Sequence, residues 1–386
     1  MKGTRVALLL SLPLAALTAL PLPLQAAEVT HDPNTNAREE AVESYYSFWK
    51  GKYLIPSVRF PGAWKVDYNG KGATVSEAMG YGMLITVFMA DRDPDAKKYF
   101  DGLDAFRKQF PSSINHAFMC WKIPANEKPP RDDSATDGDL DMAYALLLAH
   151  HRWGEEHYLS EAKTLIGNIA VSLVRPDGSL RLGDWNEKPG QTRPSDFMPT
   201  HFRAFGVATG DPVWEKVESR CYAILAELQE GAAPRTGLVP DFAVQKEGRW
   251  VPVQSGFLEG HSDGDYYYNA CRVPWRIGWA ELALKDGRAG KVLKPLMGWI
   301  GGVLHAPEEF RAGYHLDGSP VRNSDFETAC FIAPTGVAAK ALGNTGWDEA
   351  VFSYGEKKHE DYYSDSVNML CMILMSEKPD IRKWLP

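Results

Sequence analysis

Apolar positions recur at helical spacing along most of the chain, in segments divided by Gly, Pro and Asp clusters. The pattern predicts about twelve helices, over 36–51, 73–90, 94–110, 134–154, 157–174, 194–210, 211–230, 269–285, 286–304, 325–342, 346–354 and 362–376. Breakers separate them at Pro129-Pro130, Pro176-Asp177-Gly178, Gly210-Asp211-Pro212 and Asp317-Gly318-Ser319-Pro320. Strand-like pieces fall only between helices, at 179–182 and around 242–253. No tandem repeat or low-complexity linker interrupts the series. The expected fold class is therefore all-α, a single closed helical toroid with short β pieces in its loops, and two separate bundles are the alternative.

The first residues read differently. Lys2 and Arg5 precede an almost wholly apolar run over 6–24, broken by Pro13, Pro21 and Pro23 and followed by Ala26 and Ala27. This is the pattern of a secretory leader cut after Ala26. A membrane anchor is the alternative, but the prolines leave no long unbroken run. The expectation is a leader over 1–26, one domain over 27–386, a secreted or periplasmic location, and no membrane association once the leader is removed.

Charge and composition then narrow the classes. The 386 residues carry 42 Lys and Arg against 50 Asp and Glu, formally −8. Removal of the leader leaves 40 bases against 50 acids, near −10. An acidic chain without a basic run is a poor candidate for gripping nucleic acid, and no such partner is expected. Five cysteines show neither CxxC nor paired spacing with His, so no metal site and no cofactor are expected. They allow at most two disulfides, and several sit in apolar helical runs as small buried hydrophobes. Trp, Tyr and Phe together make 11% of the chain, many beside Gly, Pro, Asp or Asn. Rings on polar loops suit sugars, whose C–H faces stack on them; a bulky core is the competing reading.

Three acidic constellations carry the chemistry. In Ser76-Glu77-Ala78-Met79-Gly80-Tyr81-Gly82-Met83, Ser76 or Thr74 could start a helix with Glu77 in its first turn. The rest of that helix is apolar, so burial would raise the Glu77 pKa and keep it protonated as a general acid. Alternatively, it is an acid favoured by the helix dipole. In the second, Asp137, Asp139 and Asp141 precede a strongly apolar helix. Three acids cannot all face one low-dielectric spot, so they must find different partners; an ordinary N-cap is the alternative role for one of them. A calcium loop lacks its closing Glu. The third, 257–276, packs Glu259, Asp263 and Asp265, three adjacent tyrosines and Arg272-Val273-Pro274-Trp275-Arg276 into twenty residues. Arg272 or Arg276 could fork onto a carboxylate. Carboxyl pairs with one member protonated serve glycoside hydrolysis. The nucleophile elbow, HExxH and P-loop motifs are missing.

In this order the segments resemble glycoside hydrolase family 8. Ala135-Thr136-Asp137-Gly138-Asp139-Leu140-Asp141-Met142 through Trp153 is similar to the family signature along its length. Further similarity runs through Trp121-Lys122-Ile123, Gly183-Asp184-Trp185, Arg193-Pro194-Ser195-Asp196-Phe197 and Tyr363-Ser364-Asp365-Ser366, so it covers roughly 35–376. The resemblance implies an (α/α)6 barrel and endo-hydrolysis of a β-1,4-linked chain with inversion. Cellulose, mixed-linkage glucan, xylan and chitosan are the substrates it allows. It implies Glu77 as general acid, Asp137 as a contact to the distorted sugar, Trp121 and Trp185 as stacking platforms, and Arg272 as a polar contact near the base. Tyr267, Asn269 and Tyr363 are further expected sugar contacts.

One position departs from the larger branch of that family. Where that branch has an Asp base, three residues before Arg272, this chain has Asn269, which cannot accept the proton. The sequence instead resembles the branch whose base is a Glu ten residues earlier, here Glu259, with Asp263 and Asp265 as reserves. The expected activity is a glycoside hydrolase, an endoglucanase or chitosanase acting as a monomer on polysaccharide. A sugar-binding protein without a competent base, a xylan-active enzyme and a polysaccharide lyase are the rivals.

Overall fold

The structure, a computed structural model, describes residues 33–376 apart from 186, 187 and 189. The expected leader lies outside the described residues. Twelve α-helices occupy the described chain: α1 (Pro33–Tyr53), α2 (Ser76–Phe88), α3 (Ala96–Arg107), α4 (Thr136–Trp153), α5 (Glu156–Ser172), α6 (Pro199–Thr209), α7 (Val213–Ala232), α8 (Val273–Leu284), α9 (Gly287–Val303), α10 (Ala329–Ala341), α11 (Thr345–Gly355) and α12 (Tyr362–Met375). The even-numbered helices pack in the cyclic order α2, α4, α6, α8, α10, α12 and back to α2. Each also packs on an odd-numbered neighbour, α1 on α12 and α3, α5, α7, α9 and α11 on the helix before them. Six inner helices thus form a closed ring inside six outer ones, an (α/α)6 barrel.

Burial follows from this arrangement. An inner helix touches neighbours on all sides, so it must be apolar all round. In α2 every residue except Glu77 is buried, and in α4 every residue from Thr136 to Ala149 is. Outer helices bury one face; α7 buries Trp214, Val217, Cys221 and Leu225 and exposes Glu215, Lys216, Ser219 and Ala223. The five cysteines are all free and buried, so they add bulk to the core and no cross-links.

Four of the expected helices start three or more residues later than the periodicity predicts, among them the one expected from 269, where Ala270–Arg272 form a 3-10 turn and α8 begins at Val273. At 73 the chain first forms a strand, Thr74–Val75, paired with Lys122–Ile123; Ser76 opens α2 and no side chain caps it. At 194, Pro194–Asp196 form a separate 3-10 turn, and α6 begins only at Pro199, whose ring suits the first helical turn. At 325 the chain stays extended until Thr328, because Glu360 from another loop accepts from Thr328 Oγ1 and the Ala329 amide at the start of α10. The β pieces expected near 242–253 form a hairpin, Ala243–Lys246 with Arg249–Pro252, extended by Gln191–Thr192. The piece expected at 179–182 makes one bridge, between Val174 and Leu180.

Candidate active site

The ends of the inner helices converge on one mouth of the barrel. Glu77 lies in the first turn of α2, Asp137 in that of α4, and Tyr362 opens α12. Arg193 and Ser195 belong to the turn before α6, and Asn269 and Arg272 to the turn before α8. Helix N-termini present unpaired N–H groups and a positive dipole end, which favours carboxylates there. Two glycines let α2 and α4 meet at backbone distance. A Cβ on Gly138 would stand 2.6 Å from the Ser76 carbonyl carbon, and one on Gly80 2.8 Å from the Asp141 Cβ. That approach sets Glu77 beside Asp137.

A cleft of about 410 Å³ opens over these residues, lined by Glu77, Trp121, Asp137, Arg193, Glu259, Tyr268, Asn269, Asp361 and Tyr363, among others. At its floor is Arg272, 1% exposed. Its Nη1 donates to Glu77 Oε2 at 2.9 Å, to Asp137 Oδ2 at 2.8 Å and to the Tyr81 hydroxyl at 3.2 Å. Its Nη2 donates to Ser195 Oγ at 2.9 Å and Asn269 Oδ1 at 2.7 Å. Asp137 has a second cation, Arg193 Nη2, at 3.0 Å. Tyr362 donates its hydroxyl to Glu77 Oε1 at 3.1 Å.

The two carboxyls are driven apart by these surroundings. Burial pushes Glu77 up to about 7, although Arg272 and the Tyr362 hydroxyl pull the other way and the charge of Asp137 adds to the rise. Burial would raise Asp137 too, but Arg193 and Arg272 outweigh it and hold that carboxyl well below the usual range. One shared guanidinium thus serves an ionised Asp137 and leaves Glu77 able to keep a proton near neutrality.

Two of the three acids of α4, Asp137 and Asp141, find different charged partners, whereas both carboxyl oxygens of Asp139 are buried without a hydrogen-bond partner among the described residues; none of the three is the N-cap, which is Ala135. Asp141, one turn below Asp137, is gripped by Arg276 through both nitrogens at 2.8 and 2.6 Å and also bonds His201 Nε2 at 2.9 Å. Asp139 is fully buried, and burial pushes its carboxyl well above the usual range.

Glu259 sits on an exposed loop and reaches the cleft through Asn269, whose Nδ2 donates to Glu259 Oε2 at 2.9 Å. Asp263 holds that loop in shape: its carboxyl accepts from the amides of Leu258, Glu259 and Gly260 at 2.7, 3.1 and 2.8 Å. Asp265 bonds His315 Nδ1 at 2.8 Å. Neither reserve lines the cleft. Trp121 does, 38% exposed. Trp185 lies to one side, packed on Leu182, Phe242 and Val253 together with Phe257, two residues before Glu259. Tyr363 lines the cleft, whereas at the triple tyrosine it is Tyr268 that does so. The Tyr267 ring packs on Tyr268 and Phe331 instead, and its amide donates to Asp241 at 3.0 Å. No cluster of three or more His, Cys, Asp or Glu among the described residues could hold a metal ion.

Arg193, Tyr362 and Asp241 were not singled out by the sequence as site residues. Arg193 and Asp196 did stand in a segment similar to the family, but nothing in the order of residues tells which Arg turns inward. Tyr362 carries no signal beyond its place beside Tyr363.

Comparison with known proteins bears on the fold and the family. The model of the family described as "Glycosyl hydrolases family 8" matches residues 40–377. A protein named beta-glucanase from Niallia circulans is 40% identical over 352 residues, 88% of this chain and 85% of that one. An endoglucanase from Bacillus sp. (strain KSM-330) is 38% identical over 370 residues, 89% of this chain and 78% of that one. The apo structure of a beta-1,3-1,4-glucanase from Paenibacillus sp. X4 superposes with a TM-score of 0.86 at 40% identity, covering 89% of this chain and 92% of that one. A closed (α/α)6 ring, a carboxyl cluster at its mouth and a match over almost the whole described chain lead to one conclusion: the protein is a glycoside hydrolase and belongs to glycosyl hydrolases family 8.

Proposed function

We propose that the protein is an endo-acting β-glucanase that cuts glucans of the lichenan or cellulose type at β-1,4 linkages with inversion. The observation that carries this reading is the split between Glu77, raised to about 7, and Asp137, held ionised beside it. A neutral Glu77 donates its proton to the glycosidic oxygen as the bond breaks. The negative charge it then acquires is met at once by Arg272 and the Tyr362 hydroxyl. Asp137, fixed by two arginines, receives the hydroxyls of the distorted sugar. Glu259, as a carboxylate, takes a proton from water on the other face of the ring. An inverting pair needs space for that water. The Arg272–Asn269 bridge, standing between the two glutamates, supports this role.

Trp121 and Trp185 serve as stacking platforms, with Tyr363 as a further contact. The relatives' names favour glucan over chitosan. So does Lys122, whose Nζ stands 5.5 Å from the Trp121 ring centroid and would repel a cationic chain. No helix among the described residues is long and apolar enough to cross a membrane. With the leader-like run over 1–26, the enzyme acts as a monomer outside the cytoplasm. The test is hydrolysis of lichenan, carboxymethyl-cellulose, chitosan and xylan, with the product anomer read by NMR. Release of α-anomers from lichenan is the expected result. β-anomers, or cleavage of chitosan alone, would overturn the proposal.

A further inference from the structure

Asn269 is held in one orientation by what faces it. Its Oδ1 accepts from Arg272 Nη2 at 2.7 Å, while its Nδ2 donates to Glu259 Oε2 at 2.9 Å and to Asp241 Oδ2 at 3.3 Å. Turning the amide over would set its NH2 against a guanidinium, which has no acceptor, and its oxygen against two carboxyls. Asp241, 3% exposed, stands behind it. Its Oδ1 also accepts from the backbone amides of Tyr267, Asn269 and Ala270 at 3.0, 3.0 and 2.6 Å. One buried carboxyl therefore fixes both the main chain and the side chain at position 269. It does not line the cleft, so it has no surface to offer a sugar.

Glu259, by contrast, is an exposed loop residue with three rotatable side-chain bonds. Among the described residues, the Asn269 amide is what holds its carboxyl. Resting on the reading of Glu259 as base, we propose that Asp241 is a positioning residue, which acts through Asn269 to hold the Glu259 carboxylate in place for the attacking water. Burial pushes Asp241 up to about 7 even though its amide donors pull the other way. That cost is tolerated at a position that contacts no substrate. The arrangement also accounts for Asn in place of Asp at 269. An ionised carboxyl there would set acceptor oxygens against Asp241 and Glu259, where the Asn269 amide now donates to both.

A double-mutant cycle with azide tests this. Azide needs no base: its nitrogen bonds to C1, the C1–O bond breaks, and Glu77 gives the leaving oxygen its proton. Wild type, Asp241→Asn, Glu259→Ala and the double variant are assayed on lichenan with and without sodium azide, alongside melting curves. Asp241→Asn lowers kcat by roughly 10²-fold with KM little changed, the scale of a misplaced catalytic group. In the Glu259→Ala background it leaves the azide-dependent rate unchanged within about twofold, because the residue it positions is already gone. An azide-dependent rate that falls by the same factor as the water reaction overturns the proposal. Full turnover by Glu259→Ala without azide removes the base reading itself, a distinct failure that takes the proposal with it. If Asp241→Asn does not fold, Asn269→Ala replaces it in the cycle. That variant keeps the three backbone bonds to Asp241, and Arg272 keeps Glu77, Asp137 and Ser195.

Discussion

Glu77 and Asp137 are the same kind of group in the same cleft, and their neighbours make them opposites. Glu77 has one shared cation and 19% exposure; Asp137 has two cations and 3%. Glu77→Gln keeps the shape and the bonds from Arg272 and Tyr362 but has no acidic proton. Its kcat on lichenan falls by about 10²–10⁴-fold while the fold is kept; near-wild-type turnover would remove Glu77 from the role. In the wild type, kcat/KM declines above pH 7 as Glu77 loses its proton. Stability follows the same group. Its folded pKa lies above its unfolded one, so the native state holds the extra proton between about pH 4.5 and 7, and stability falls as pH rises through that window. Glu77→Gln therefore melts above wild type at pH 8, and the difference shrinks at pH 4. Equal differences at both pH values would contradict the shift. The sequence made Glu77 legible because a lone acid interrupts an otherwise apolar helix. It could not single out Asp241 or Tyr362, since a buried partner in a distant part of the chain leaves no periodic trace.

At the scale of elements, the contact between α2 and α4 sets the site. Gly138 and Gly80 let the helices close to backbone distance, and Gly138 has the smaller clearance. Gly138→Ala pushes a methyl group into the Ser76 main chain, for which no flexible side chain can give way. The expected cost is about 1–3 kcal/mol, with kcat lowered as Glu77 and Asp137 separate; thermal melts and lichenan kinetics check both. An unchanged melting temperature would show that the helices slide freely. Helical periodicity placed all twelve elements but overran four starts by three residues or more, those of α2, α6, α8 and α10. Residues before 76, 199 and 329 are apolar or turn-forming in the helical register, yet their backbone groups are claimed by Lys122–Ile123, by a 3-10 turn and by Glu360. Such partners lie far away in sequence, so a local pattern cannot register them.

For the whole molecule, closure of the ring brings α8 and α4 within reach although they are two places apart in it. Arg272 and Arg276, four residues apart, meet Asp137 and Asp141, also four apart, so the pairs stack as two rungs. The upper rung serves the cleft. The lower is fully buried with His201 and lies beneath it. Replacing Arg276 alone by Met leaves Asp141 charged and deprived of its bidentate partner, at an expected cost of about 3–5 kcal/mol. Replacing Asp141 by Asn together with Arg276 by Met recovers part of that loss. Denaturant melts of the three variants decide it, and a double variant no better than Arg276→Met would mean that the rung adds no specific pairing.

The chain's own order of residues determined the class of fold, the number of helices and three acids, Glu77, Asp137 and Glu259, that the fold brings to one cleft. Apolar periodicity records burial, and a charged residue amid buried ones stands out. Which acid is neutral and which is ionised was decided only by the tertiary structure, since those states depend on Arg193, Arg272 and Tyr362 arriving from three other parts of the ring. The same holds for Asn269. In sequence it marked a missing base; in the folded barrel it is the amide that joins Asp241, Glu259 and Arg272, because only closure of the loops brings their charges to one point.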